Sequence, residues 1–176
     1  MSEAHSMFDV NQVMQSVIDQ TRAYFREELG LSITETTRHA GALNLLTLLD
    51  MTAIMGIGGE INLLVAFSFD YSQLEILYER LTADIEIQPE EVDTFREAVA
   101  GEIVNTILGH CTVDFPHDKE LAVTLTPPII LEQVKHIRRV KNAMFYTQSF
   151  NTDAGRMDIH LVGPCDIFKP TLDYLK

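Results

Sequence analysis

Tryptophan is absent, cysteine occurs twice, and 13 lysines and arginines stand against 26 aspartates and glutamates. Each shortage excludes something. The two cysteines, Cys111 and Cys165, have no Cys-x-x-Cys spacing. Neither a disulfide framework nor a thiolate metal site is therefore expected, and free thiols in a reducing cytoplasm are. A formal net charge of −13 argues against nucleic acid as a partner, because phosphate binding needs a basic surface. No apolar run approaches the roughly 18 residues that a membrane span requires. The first residues, Met1-Ser2-Glu3-Ala4-His5, lack a basic segment followed by an apolar core, so no signal peptide is expected. Histidines at 5, 39, 110, 117, 136 and 160 form no metal-spaced set. Gly56-Ile57-Gly58-Gly59 is not followed by Lys-Ser/Thr and a helix, so it reads as a hairpin turn rather than a phosphate loop. No Ser-His-Asp arrangement can be picked out.

What is present is a chain 46% hydrophobic over 176 residues, enough for one well-filled core. Residues 1–7 read as a tail and 8–176 as a single domain. Apolar residues recur at helical spacing from Phe8 to Leu29, with Gly30 as a stop and Asp9 or Asn11 as the cap. Thr34 to Thr37 is β-prone. Leu45–Ile57 and Ile61–Phe69 read as antiparallel strands meeting at the glycines. Helical spacing returns over 71–82. A further helix opens at Pro89-Glu90-Glu91, where proline suits the first turn and acids suit the positive end of the dipole. It runs to about His110, with Val92, Phe95, Val99, Ile103 and Ile107 as its core stripe. Leu121–Leu131 is a strand broken by Thr126-Pro127-Pro128, hence an edge or a bulge. Strands are predicted over Val134–Val140, Ala143–Phe150 and Met157–Val162, with a hairpin loop at Asn151–Gly155 and a short helix over 166–175. This order predicts an α+β domain, with a largely antiparallel sheet and long helices packed on one side.

The stretch from Arg96 to His110 holds the candidate chemistry. Glu102 and Asn105 are three residues apart, about 60° around a helix, so both side chains project to one side. Thr94, Ala98, Gly101 and Gly109 make that side mostly bare. Each helical glycine costs about 1 kcal/mol relative to alanine, so a helix that keeps two of them suits close approach by a large partner. An acid beside an amide on an open face points to chemistry done on a group that the partner supplies. Proline follows at a fixed distance, with twenty-two residues between Asn105 and Pro128.

Gly-Glu-Ile-Val-Asn followed by this Thr-Pro-Pro resembles the CheC/CheX/FliY family of chemotaxis phosphatases. The family signature is Asp or Ser, three residues, Glu, two residues, Asn, twenty-two residues, Pro. Glu102, Asn105 and Pro128 match; the first position is Ala98 here. The order of elements over about residues 8–163 is also similar. CheC carries two such motifs and this chain one, which makes CheX the nearer resemblance. The resemblance implies a cytoplasmic homodimer, formed through the sheet, that dephosphorylates a CheY-like response regulator. It implies that Asn105 orients the attacking water and that Glu102 pairs with the regulator's lysine. Ala98, Gly101 and Gly109 would keep the docking strip open. No cofactor of its own is implied, since Mg²⁺ would belong to the partner's receiver domain. A non-catalytic interaction module like the FliM middle domain is the alternative. Lys135-His136-Ile137-Arg138-Arg139-Val140-Lys141, the basic cluster of an acidic chain, reads as the solvated face and turn of a hairpin or else as a docking patch for an acidic partner or an anionic ligand.

Overall fold

The structure, a computed structural model, describes residues 10–41, 44–59, 62–115, 123–138 and 141–164. The first amphipathic stretch is helix α1 (Val10–Glu27), with Val10, Val13, Met14, Val17, Ile18, Thr21, Tyr24 and Phe25 on its buried face. Gly30 ends the turn in the left-handed region at φ 59°, a conformation that glycine adopts without steric cost. The Leu31 amide then donates to the Phe25 carbonyl at 2.8 Å. Asn11 lies inside the helix rather than at its cap, and Asp9 falls outside the described residues.

Strand β1 (Ile33–Gly41) follows, then β2 (Leu45–Thr47), β3 (Met51–Gly58) and β4 (Leu63–Phe69). The apolar run expected as one strand over 45–57 is thus two strands, separated at Asp50. The β3–β4 hairpin closes at the glycines as expected, with Ile57 opposite Leu63. Helix α2 (Tyr71–Leu81) is capped by Asp70, whose carboxylate accepts from the Gln73 amide at 2.7 Å. Its other oxygen accepts from the Arg156 amide at 2.7 Å and so ties the helix start to the last hairpin. A Cβ on Gly155 would run into that carboxylate, so glycine is needed there. Helix α3 (Val92–Cys111) comes next, preceded by a single 3-10 turn at Pro89–Glu91. The remaining strands are β5 (Thr124–Leu125), β6 (Ile129–Glu132), β7 (His136–Arg138), β8 (Ala143–Thr152) and β9 (Arg156–Pro164). The terminal helix predicted over 166–175 lies outside the described residues.

The main sheet is antiparallel in the order β1-β8-β9-β4-β3, with β5 and β6 both paired to β3 at its far edge. Side chains alternate across it, as the pleat requires. Met51, Ala53, Met55 and Ile57 of β3, Val65, Phe67 and Phe69 of β4, and Met157, Ile159 and Leu161 of β9 join one core with the buried faces of all three helices. The helices therefore lie on one side, as expected. The opposite face carries a separate antiparallel ribbon of β2 and β7. Leu46, Leu48 and Ile137 around it form a second, smaller apolar cluster with Phe145 and Val162. Beside it, the outward residues of the middle strands are buried and polar. Ser68 accepts from the Leu49 amide at 2.7 Å and bonds Thr52 at 2.8 Å. Arg156 grips Asp158 with two nitrogens, at 2.8 and 2.9 Å. His160 Nδ1 meets the Thr147 hydroxyl at 2.8 Å. Such partners offset the cost of burying polar groups; His160 Nε2 and Gln73 Nε2 are the buried atoms without one among the described residues.

Candidate functional site

Helix α3 is covered on several sides at once. It packs on α1 and α2 and across β3 and β6. Beyond the predicted stripe it also buries Ala100, Val104, Leu108 and Cys111, whereas Val92 and Phe95 are only half-buried. Its N-terminus is fixed by Arg96, which pairs with Glu75 of α2 at 2.8 Å and with Asp93 at 2.7 Å. The same guanidinium lies over the rings of Tyr71 and Tyr78, 5.4 and 5.5 Å from their centroids. Burial of the Cys111 thiol pushes its pKa up to about 12, so it stays protonated and unreactive near neutral pH.

One arc of α3 stays open. Thr94, Ala98, Glu102 and Asn105 are exposed on it, and Gly109 is half-exposed. At about 100° per residue, Thr94, Ala98, Gly101 and Asn105 fall within about 60° of one another. They form one wall of a groove of about 730 Å³. The facing wall is Leu125, Thr126, Pro127, Pro128 and Ile130. The break between β5 and β6 along the edge of β3 builds that wall. The Gly56 amide donates to the Thr126 hydroxyl at 2.8 Å, and the Thr126 amide donates to the Gly56 carbonyl at 3.0 Å. The chain stays attached to β3 while the two prolines, which have no N–H to offer the ladder, turn toward the helix.

Gly101 is where helix and prolines meet. It is buried, and a Cβ there would stand 3.4 Å from Pro128 Cγ and 3.6 Å from Ile130 Cδ1. A methyl there would just make ordinary contact with the groove floor, and a larger side chain would run into it. Gly109 differs: a Cβ there meets nothing within 4 Å, and it lies past the end of the groove lining. Among the described residues packing offers no reason for that glycine.

Glu102 accepts a hydrogen bond at 3.3 Å from the hydroxyl of Thr106, one turn further along. Its charge also faces Tyr24 of α1, whose phenol pKa is raised first by burial and then by Glu102 and Glu28. The acid therefore leans to the α1 side of the strip. The Asn105 carboxamide has no hydrogen-bond partner among the described residues, which leaves an acceptor oxygen and two donor hydrogens turned to solvent. Glu97 also lines the groove, exposed on the flank away from Glu102. Sequence reasoning passed over Glu97 and Thr106, although both stand between Arg96 and His110. Helical arithmetic from Gly101 and Glu102 would have found them.

Other candidates disperse. Lys135 pairs with Asp50 at 3.1 Å, His136 and Arg138 lie exposed on β7, and Lys141 is at the turn into β8. None of these lines the groove. Among the described residues no group of three His, Cys, Asp or Glu is placed to hold a metal. No described helix is long and apolar enough to cross a membrane.

The family described as Chemotaxis phosphatase CheX matches residues 51–151, more than half of the chain and all of the groove-forming segments. The chain belongs to the CheX family. No curated protein sequence matches it. Among solved structures, it is similar to a chemotaxis protein CheX from Desulfovibrio desulfuricans. That match has 14% identity and a TM-score of 0.71, and covers 85% of this chain and 97% of the other. CheX from Vibrio vulnificus is 13% identical with a TM-score of 0.66, over 85% and 97% of the two chains. A Borrelia burgdorferi complex of CheX with CheY, BeF₃ and Mg²⁺ is 15% identical with a TM-score of 0.65, over 86% and 96%. At these identities the likeness is one of fold, and the CheX fold is the one described above.

Proposed function

We propose that this chain hydrolyses the aspartyl phosphate of a CheY-like receiver domain, with Asn105 orienting the attacking water and Glu102 docking the partner. One observation carries the reading. An unbonded carboxamide and a carboxylate stand exposed side by side at mid-helix, at the mouth of a groove open to a large partner. An acyl phosphate is already prone to hydrolysis, and its loose transition state asks chiefly for a water held in line. A carboxamide suits that task because it accepts from the water and donates to a neighbouring oxygen without titrating. Glu102, held by Thr106, would meet a lysine beside the receiver's phosphorylation site and set the register. Mg²⁺ would come with the receiver.

Ala98, where the family signature has Asp or Ser, offers the receiver no polar atom at that position, so docking falls to Glu102 and its neighbours. A homodimer belongs to the same proposal. The sheet ends on the nine-residue strand β1, whose outer side no described strand covers, and such an edge is a template for pairing with a second copy.

Asn105→Ala is expected to lower phosphate release from a phosphorylated receiver on the order of 10²–10⁴-fold, with an unchanged circular dichroism spectrum and unfolding midpoint. Equal rates for variant and wild type would overturn the proposal. Receiver binding without any acceleration of hydrolysis would favour the non-catalytic interaction module instead.

A further inference from the structure

The groove beside α3 is acidic on both flanks and apolar between them. Among the described residues no lysine, arginine or histidine lines it. Elsewhere four cations pair with acids of the same chain: Arg26 with Glu27, Arg96 with Glu75 and Asp93, Lys135 with Asp50, Arg156 with Asp158. Glu97 and Glu102 have no ion-pair partner among the described residues, and both are exposed. They stand five positions apart, which is about 7.5 Å along the helix and about 140° around it. One ammonium group seated at Glu102 is thus out of reach of Glu97. Between the two acids lie Gly101 and Ala98, faced by Pro127, Pro128 and Ile130. An apolar side chain seated there would exclude water from both flanks and strengthen the attraction of each carboxylate for a cation.

We propose that Glu97 is a second docking carboxylate, and that the groove selects receiver domains presenting an apolar side chain between two cations. The inference rests on the phosphatase reading for its partner and extends it to the partner's surface. Glu102 takes the cation nearest the phosphoryl group. Glu97 takes a second one, outside the reacting centre, and so sets which receiver binds rather than how fast the bound one reacts. The chain's net charge of −13 adds long-range attraction for a basic surface.

The test is binding to a purified receiver loaded with Mg²⁺ and beryllofluoride, a stable mimic of the phosphoryl group, followed by turnover of the phosphorylated form. Glu97→Gln is expected to raise Kd about threefold at low ionic strength and Glu97→Lys about tenfold, with both differences shrinking at 0.5 M salt. The turnover rate at saturating phospho-receiver stays at the wild-type value. Glu79→Gln, which removes an exposed acid of α2 outside the groove, is expected to leave Kd unchanged. Wild-type Kd for Glu97→Gln at low salt overturns the proposal. So does equal weakening by Glu79→Gln, which would reduce the effect to net charge. Binding that depends on Glu97 without accelerated hydrolysis upholds this inference and sinks the phosphatase reading. A wild-type chain that binds no receiver overturns both.

Discussion

Two side chains on α3, a carboxamide and a carboxylate, play unlike parts in the proposed reaction. Asn105 needs freedom from its own protein, and it has no described partner. Glu102 needs a fixed direction, and Thr106 supplies it through the hydroxyl at 3.3 Å. Thr106→Val keeps the shape and deletes the donor, so about 1 kcal/mol of orientation is lost. Phosphate release at low receiver concentration is expected to fall about fivefold for Thr106→Val. Thr106→Ser is expected to keep the wild-type rate, and the unfolding midpoint to stay fixed in both. A valine variant as active as wild type would show that the carboxylate needs no such support. The acid–amide pair was legible in the sequence because helical spacing alone puts residues i and i+3 on one side. The Thr106 contact follows from the same geometry one step further, at i+4.

The two glycines of α3 look alike in the sequence and act differently in the element. Gly109 has open space around the missing Cβ, so Gly109→Ala is expected to stabilise the fold by about 0.5–1 kcal/mol through helix propensity. Urea denaturation reads that out as a higher midpoint at constant slope. At Gly101 the first methyl already meets Pro128 at 3.4 Å. Gly101→Leu must therefore displace the proline wall and is expected to lower the same midpoint by about 1–3 kcal/mol. The reverse ranking of the two variants would contradict this assignment of packing. The sequence showed that both glycines cost helix stability. It did not show which was buried, because the covering residues come from Pro128 and Ile130, a strand and a loop away. The same holds for the helix stripe. Counting from Val92 to Ile107 found one buried face, whereas contact with α1, α2, β3 and β6 together buries Ala100, Val104, Leu108 and Cys111 as well.

At the scale of the molecule, the sheet divides an apolar side under the helices from a side that carries the small apolar cluster of the β2–β7 ribbon and, beside it, buried polar residues. His160 lies in that second layer at 1% exposure. Burial lowers its pKa to about 4, with Asp158 opposing the shift and Arg156 adding to it. Above about pH 6.5 the imidazole is neutral in both the folded and the unfolded chain, and its contribution to stability is fully present. As the pH falls from there toward about 4, the unfolded chain takes up a proton that the folded one refuses, and roughly 3 kcal/mol is lost. His160→Gln is expected to flatten the decline in unfolding free energy between pH 7 and 4.5. Parallel curves for variant and wild type would show that the site does not report on folding. The sequence determined the three helices, the hairpins at Gly58 and Asn151–Gly155, and the broken edge strand, because each is written in local periodicity and turn chemistry. It also determined the Glu102–Asn105 pair and its proline. Tertiary structure decided that Leu45–Thr47 and His136–Arg138 leave the main sheet to pair with each other, and that Pro128 seats on Gly101 to form a groove. Those outcomes depend on contacts between segments distant in the chain, which no local pattern of residues encodes.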